Sequence, residues 1–493
     1  MAASYIWWGI AIYVVFASIT AILSRSRDGT EGSMSGYFLG NRSMGGLVSA
    51  MSYSATTYSA FMLIGLAGLT YSGGVGALGF ELIYLCGVTL VLIFGPRFWL
   101  AGKEFGYVTP SEMLGDRYES KAVAIVTALT SCVFLIPYSA VQLAGVGYLL
   151  QGMTDGAISF TSGTILATIL AIAFSLVAGL RSVAWTDSLQ AIIMIISATA
   201  VVLIVVQGLG GIGSFFDQAT EANPGALSVP GNGFFTLSTF IGLTLPWIFF
   251  SISNPQVSQR LFTPRSMKDL RIMLLGFMAF GFIYTLVAVT WGFAASIQFP
   301  DLATGDLATP KLLSSDLVPA GLGVIVMVGI IAAAVSTIDS ILLTLSSLVT
   351  RDVFAHAKKG ATDSQQLLVG KIVIPVIAIL AYLFAQLELN LIAILSVSAS
   401  AGLLVMVPAI IGTFFWRRGT ASGVLSGVVV GGVLVAYLEF SETKLLGQGS
   451  GVWGLLVSVG LFVGVSLVTK APTEKTDRFL SYVNGKLKER QAV

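Results

Sequence analysis

Charge, cysteine and histidine are all scarce in this sequence. Only 10% of its 493 residues are Asp, Glu, Lys or Arg, whereas soluble domains carry about 25%. The mean hydropathy is +0.89, and no polar stretch is long enough to hold a catalytic domain. These features predict a polytopic membrane protein rather than an enzyme. The formal net charge of +2 is too small to suggest a nucleic-acid partner.

The few reactive side chains exclude further classes. Cys86 and Cys132 both lie in apolar segments, so no disulfide framework is expected. The single histidine, His356, falls in a basic segment and is interpreted as solvated. The N-terminus has neither a basic leader nor an obvious cleavage site, so we expect no removable signal peptide.

Apolar runs of about 20 residues are typical of transmembrane helices, and this sequence contains thirteen of them. They lie near 5–23, 44–71, 75–101, 121–150, 158–178, 184–208, 235–262, 271–297, 318–351, 367–386, 389–416, 420–438 and 451–469. With the N-terminus outside and the C-terminus inside, only Lys311 and Lys444 of the 26 Lys and Arg fall on the outer side. The sequence therefore predicts an all-α, multi-pass protein of the cell (plasma or inner) membrane. Its tail from Thr473 predicts a short amphipathic helix on the inner membrane surface.

A polar stripe interrupts the ninth span between Ile331 and Asp352. On a helix, the residues that share this face are Ala333, Ser336, Thr337, Ser340, Thr344 and Ser347. Asp339 lies at the edge of the stripe. Small oxygen ligands beside an acid at bilayer depth predict a site for a small cation. The alternative is that the hydroxyls bond to their own helix and line a tight seam between helices.

Three carboxylates fall inside predicted spans, namely Glu81, Asp187 and Asp339. Charges in a bilayer are costly, which makes all three candidates for function. Glu81 could instead face a watery vestibule, and Asp187 could play a structural role with Arg181. Asp339 is the deepest of the three and the hardest to explain without a function. It could be a second sodium ligand, a proton site or a partner that holds the helix in place.

Two spans are predicted to be broken. The second packs many hydroxyls into residues 51–60, and the seventh contains Pro246, which removes a backbone donor near its centre. The breaks are five spans apart, which favours two inverted five-helix repeats. The alternative is one proline kink and one packing face. The predicted organisation is an extra helix and loop (1–43), a first repeat (44–210), a second repeat (211–418), two peripheral helices (419–470) and a cytoplasmic tail (471–493).

Five motifs carry a family resemblance that covers essentially the whole chain. They are YFLGNRSMG (37–45), TPSEMLGDRY (109–118), GLRSVAWTDSLQ (179–190), NPQVSQR (254–260) and AAVSTIDS (333–340). In this order the chain resembles the solute:sodium symporter family, whose members have a LeuT-like core. The resemblance implies uptake of a small organic solute by alternating access, driven by Na+.

The resemblance also implies ion sites. The main sodium site maps to the carbonyls of Ala55, Tyr58 and Ala333 and to the hydroxyls of Ser336 and Thr337. A second sodium site, used by some members, maps to Asp187, Ser336, Asp339 and Ser340. Asp339 stands where a comparable two-sodium member has a serine, so one or two sodium ions per cycle stay open.

The substrate pocket implied by the resemblance lies between the two broken helices. Its residues are Thr57, Ser59, Phe61, Glu81, Tyr138, Gln142, Trp247, Phe250 and Ser396. Met62, Trp247 and Ser396 stand at sugar-binding positions of the family, which disfavours a sugar. The aromatic residues resemble the pocket of the sodium/proline symporters, although Thr57 replaces their aspartate. An amino acid such as proline or a small monocarboxylate is expected, with pantothenate-like acids also open.

Other functions of the same fold stay open at this point. A proton-coupled carrier would use Asp187 or Asp339 as its proton site, and a sensory member would bind solute without transporting it. A channel is disfavoured because no selectivity-filter motif is present. The expected partners are sodium, the solute and the lipid bilayer, with a monomer sufficient for function.

Overall fold

The computed structural model describes residues 3–24, 33–177, 180–388, 391–470 and 472–491, and every regular element in these ranges is helical. Arg25, Arg27 and Gly179, which belong to the predicted inner loop and to one motif, lie outside the described residues. The α-helices are α1 (Ala3–Ser24), α2 (Met34–Leu39), α3 (Gly46–Thr57), α4 (Ala67–Gly73), α5 (Gly76–Val88), α6 (Leu90–Phe105), α7 (Pro110–Arg117), α8 (Lys121–Met153), α9 (Phe160–Val177), α10 (Leu180–Gly208), α11 (Gly211–Ala222), α12 (Leu237–Ser253), α13 (Pro255–Ser258), α14 (Met267–Gln298), α15 (Ala308–Leu313), α16 (Ala320–Leu348), α17 (Ala355–Ala357), α18 (Asp363–Ala385), α19 (Ile392–Leu403), α20 (Val407–Phe415), α21 (Ala421–Phe440), α22 (Ser450–Val468) and α23 (Glu474–Gln491).

Ten of the described helical segments are long and apolar enough to cross a membrane, and three shorter apolar helices accompany them. The all-α, multi-pass architecture predicted from hydropathy is therefore confirmed. Each predicted span coincides with one helix or with two or three consecutive helical segments. The number of crossings and the orientation of the termini stay predictions.

Helix α16 forms the centre of the molecule. Every residue from 329 to 348 on this helix is buried, and α16 contacts α3, α8, α9, α10 and α18. A helix that is enclosed by other helices in this way has no face directed toward lipid, and most of its surface is apolar. The polar stripe predicted from the sequence is therefore enclosed by protein and does not face lipid.

The second predicted span is interrupted as expected. Helix α3 ends at Thr57, and Tyr58 has non-helical dihedral angles (φ −91°, ψ 80°) before the chain resumes as a π-helix over Phe61–Leu66. Just before the break, the Ser54 and Thr57 hydroxyls each donate to the carbonyl four residues earlier, at 2.8 and 2.9 Å. Such bonds weaken and bend a helix.

The break in the seventh span was predicted at the wrong residue. Helix α12 runs through Pro246 without interruption, and the chain leaves helical geometry at Asn254 (φ −82°, ψ 114°), directly before Pro255. A proline disfavours helical geometry in the residue before it, and the Asn254 side chain accepts a bond from the Gln256 N–H at 3.2 Å to start α13. Pro246 costs α12 only one backbone bond, which the helix tolerates.

The two interrupted segments are joined at one end. The Met44 N–H donates to the Thr263 carbonyl at 3.4 Å, and the Arg265 N–H donates to the Met44 carbonyl at 3.0 Å. The Gly46 N–H donates to Asp269 at 2.8 Å. The start of α3 and the end of the α12–α13 segment are thus connected by backbone hydrogen bonds.

The C-terminal helix α23 is present as predicted, but its apolar face packs against protein. The Phe479 ring stacks on Phe105 at 5.5 Å and lies 5.9 Å from Phe414. The buried guanidinium of Arg117 donates to the Thr413 carbonyl, the Trp416 carbonyl and the Thr476 hydroxyl, each at 3.1 Å. The tail is therefore fastened to the helical body instead of presenting this face to lipid.

Candidate functional site

The break in the first interrupted helix meets the polar stripe of α16. The Thr337 hydroxyl donates to the Ala55 carbonyl at 3.0 Å. Ala55 lies in the last turn of α3, where backbone carbonyls lose their partners within the helix. Ala333, Ser336 and Tyr58 are buried near this contact. The structure thus joins two of the five residues predicted for the main sodium site directly.

Asp187 on α10 is a fully buried acid next to this contact. It accepts hydrogen bonds from the Ser52 hydroxyl, at 2.8 Å, and from the Ser336 hydroxyl. The carboxylate oxygen that accepts from Ser52 also lies 3.7 Å from a guanidinium nitrogen of Arg260. The alternative pairing with Arg181 is not observed, because Arg260 is the cation at this acid and Arg181 is exposed.

Arg260 was not predicted as a site residue. It follows the break in the α12–α13 segment and is 4% exposed. It donates to the Ser52 hydroxyl at 2.6 Å and to the Ser340 hydroxyl, and Ser340 lies 3.2 Å from the Thr56 hydroxyl. A buried guanidinium therefore connects the first interrupted helix to α16.

The residues predicted for the second sodium site separate into two groups. Asp187 and Ser340 contact the Arg260 guanidinium, and Ser336 donates to Asp187. Asp339 is directed elsewhere and accepts from the Ser175 hydroxyl on α9 at 2.9 Å. In this conformation, the positive charge next to Asp187 is supplied by the protein itself.

The nine residues predicted for the substrate pocket are all buried. The Trp247 ring is their centre, with Phe61 at 5.0 Å and Phe250 at 4.8 Å between ring centroids. Tyr138 lies 5.8 Å from Phe250 and beside Ser396. Side chains from the two interrupted segments, α5, α8 and α19 therefore pack together as one buried aromatic cluster, which we call the aromatic chamber.

Two of the predicted substrate hydroxyls are used locally. Thr57 donates to the Tyr53 carbonyl at 2.9 Å, and Ser59 accepts from the Phe61 N–H at 3.3 Å. Two aromatic residues of the chamber were missed. Phe80 stacks on Trp247 at 5.8 Å, and Tyr84 lies 5.9 Å from it. Tyr84 lies one helical turn from both Phe80 and Glu81 on α5, and this spacing was the available signal.

Polar groups without partners concentrate in this chamber. Within the described residues, no hydrogen bond reaches either oxygen of Glu81, either side-chain amide atom of Gln142, the Trp247 Nε1 or the Tyr84 hydroxyl. Buried polar atoms are almost always paired, so each such atom needs a reason. A chamber that gathers several of them is suited to bind a polar ligand. The vestibule alternative for Glu81 does not hold, since its side chain is fully buried.

Two interrupted helices joined at one end, a hydroxyl facing a carbonyl at one break and a buried aromatic cluster that gathers polar groups are typical of a secondary transporter. The fold agrees with a solved structure of a Na+-coupled sialic acid symporter in a substrate-bound, outward-open state. The TM-score is 0.78 at 18% identity, with 96% of this chain and 98% of that chain covered.

The chain belongs to the sodium:solute symporter family, whose model matches residues 37–431. It is 28% identical to the sodium/pantothenate symporter of Escherichia coli (strain K12), over 94% of this chain and 96% of that protein. It is 26% identical to a sodium/proline symporter of Staphylococcus aureus, over 98% and 97%. The predicted family and the transporter class are thereby confirmed, and the protein is not an enzyme. The family does not favour the proton-coupled or sensory alternatives.

Proposed function

We propose that this protein imports a small organic solute, an amino acid or a small monocarboxylate, together with sodium across the cell membrane. The contact between the Thr337 hydroxyl and the Ala55 carbonyl, at 3.0 Å, carries this proposal. Both oxygens belong to the predicted cation site, and they lie on two different helices. A sodium ion bound there replaces a direct contact with a shared ligand and holds α3 against α16.

The proposed main site consists of the Ala55, Tyr58 and Ala333 carbonyls with the Ser336 and Thr337 hydroxyls. The Ser336 hydroxyl now donates to Asp187, so its lone pairs stay available to a cation. The nine pocket residues are proposed to bind the solute, with Phe80 and Tyr84 completing the chamber. Because Arg260 supplies a positive charge beside Asp187, a second cation is not needed there. We therefore propose that one sodium ion is transported per cycle.

The proposed architecture has thirteen crossings, with the N-terminus outside and the C-terminus inside. Residues 44–210 and 211–418 form the two inverted repeats, flanked by the segments 1–43, 419–470 and 471–493. The placement of two breaks five spans apart supports this arrangement. A monomer contains every residue of the proposed sites.

The energy available from sodium is sufficient for accumulation. Moving one charge through the membrane potential yields about 2.3 kcal/mol per 100 mV, and a tenfold sodium gradient adds about 1.4 kcal/mol. One sodium ion can therefore support a solute gradient of several hundredfold. Because sodium steadies the break at Tyr58, its binding prepares the chamber for the solute.

Solute uptake into proteoliposomes, with sodium or choline outside, tests this proposal. Thr337→Ala and Ser336→Ala should each raise the sodium concentration for half-maximal uptake by about tenfold, because a ligand to a charge is lost. Thr168→Ala is the matched control, since Thr168 is also buried but bonds only to its own helix at 2.7 Å. Unchanged sodium dependence in both site variants would refute the assignment.

A further inference from the structure

Glu81 is a carboxylic acid enclosed in the aromatic chamber without a compensating group. Its side chain is fully buried, and neither oxygen has a hydrogen-bond partner within the described residues. Burying an ionised carboxylate in this way is very costly unless it is paired. The pocket therefore lacks one component that the carboxylate requires.

No side chain of the described residues supplies that component. Around Glu81, the groups with which it interacts electrostatically are the Trp247 indole and the hydroxyls of Tyr58, Tyr84 and Tyr138. All of these are neutral. The indole N–H acts on the carboxylate without reaching hydrogen-bond geometry. The buried guanidinium of Arg260 is committed to Ser52, Ser340 and Asp187.

The aromatic rings beside Glu81 favour a positively charged guest. The Trp247 ring lies 5.0 Å from Phe61 and 5.8 Å from Phe80, and Tyr84 lies 5.9 Å from it. The faces of such rings attract cations, and more strongly in a desolvated site. A carboxylate within an aromatic cluster combines two features that recognise an ammonium group.

We propose that the solute carries a protonated amine that binds to Glu81, so that the substrate class is the zwitterionic amino acids rather than amine-free monocarboxylates. This inference rests on the proposed function. Charge balance supports it: one sodium ion, one zwitterion and the Glu81 carboxylate are together neutral. An amine-free acid would bring a second negative charge into a closed chamber that has no further cation of its own.

Matched pairs of compounds test the proposal. They differ only by replacing the amine with a hydroxyl or an ether: L-proline with (S)-tetrahydrofuran-2-carboxylate, L-alanine with L-lactate, and L-valine with (S)-2-hydroxyisovalerate. Pantothenate and pyruvate complete the panel. Binding to the purified full-length protein is measured by thermal shift in sodium and in potassium, together with competition for uptake in proteoliposomes.

In sodium, at least one amine member should bind, and its amine-free partner should bind about 100-fold more weakly or not at all. Glu81→Gln should reduce this preference to within a few-fold, because the amide pairs with either compound. Glu81→Asp should restore part of it. Glu221→Gln, the same substitution at an exposed residue, should leave the preference unchanged. A higher unfolding temperature in sodium than in potassium, measured without solute, would show that the Glu81→Gln variant is folded.

Sodium-dependent binding of pantothenate, pyruvate or a hydroxy acid at least as tight as that of every amine, and unaffected by Glu81→Gln, would overturn the substrate class. That result leaves sodium symport intact, and it is also the result expected if Glu81 is protonated in the chamber. Solute binding that is equal in sodium and potassium would instead overturn the proposed function on which the inference rests.

Discussion

Removing one charge from the buried pair Asp187–Arg260 should destabilise the protein more than removing both. The variants are Asp187→Asn, Arg260→Gln and their combination. In the first, a guanidinium remains enclosed with only the Ser52 and Ser340 hydroxyls as partners. In the second, the carboxylate retains two hydroxyl donors but no counter-charge. In the combination, no buried charge is left unpaired.

The magnitude follows from the geometry. The nitrogen–oxygen distance is 3.7 Å and both side chains are at most 5% exposed. At an effective dielectric constant of about 20, the attraction at this distance is about 4–5 kcal/mol. Breaking a buried pair on one side costs about 3–5 kcal/mol because the remaining charge is uncompensated. We therefore expect each single variant to lose about this amount, and the double variant to regain roughly half or more of the summed loss.

Thermal unfolding in detergent, measured in potassium and in sodium, provides the assay. In potassium, the midpoints of the single variants should fall by several degrees and that of the double variant by clearly less than the sum. Sodium should stabilise Arg260→Gln more than the wild type, since a soluble cation can replace the guanidinium beside Asp187. If the loss in the double variant equalled the sum of the two single losses, the two side chains would not be coupled. That result would contradict the prediction.

Two further predictions concern packing. Gly281→Ala should lower thermal stability by about 1–3 kcal/mol and raise the sodium concentration for half-maximal uptake, because a Cβ there would overlap the Tyr58 hydroxyl and lie 2.5 Å from the Tyr58 Cζ at the helix break. Normal sodium dependence in a destabilised protein would contradict this link. Arg117→Lys should make the C-terminal helix accessible to protease, because Lys cannot reach the three acceptors that the buried guanidinium holds. Arg417→Lys is its control and should have little effect, since the Arg417–Asp477 pair is exposed; equal protease sensitivity in the two variants would contradict the prediction.

The sequence was sufficient for the long apolar helices because each of them is an apolar run with clear ends. It also placed the break at Tyr58, since hydroxyl-rich residues in a membrane segment weaken a helix locally. Pro246 misled the second assignment. A proline inside a helix removes one bond, whereas Pro255 acts on the backbone of Asn254 and ends the helix there.

Arg260 was missed for a different reason. In the sequence it ends the motif NPQVSQR (254–260) and stands among the basic residues of a predicted inner boundary. Neither observation assigns it a role in the site. Its partners Ser52 and Asp187 come from distant parts of the chain, and no local pattern encodes that meeting. Likewise, Thr57 and Ser59 have the right side chains for a pocket, but only the folded backbone reveals that their hydroxyls are engaged locally.

The backbone link between Met44 and the Thr263–Arg265 segment limits how this protein can move. Two interrupted helices that are hydrogen-bonded to each other at one end cannot slide past each other there, so we expect them to move together as one rigid unit. Relative movement during transport is then expected between this rigid unit and α16, where the Thr337 hydroxyl donates to the Ala55 carbonyl. A disulfide engineered across the backbone link should permit full turnover, whereas one between α3 and α16 should arrest it. The proposed sodium site lies at this contact, where a small change in binding energy would control a large movement of the helices.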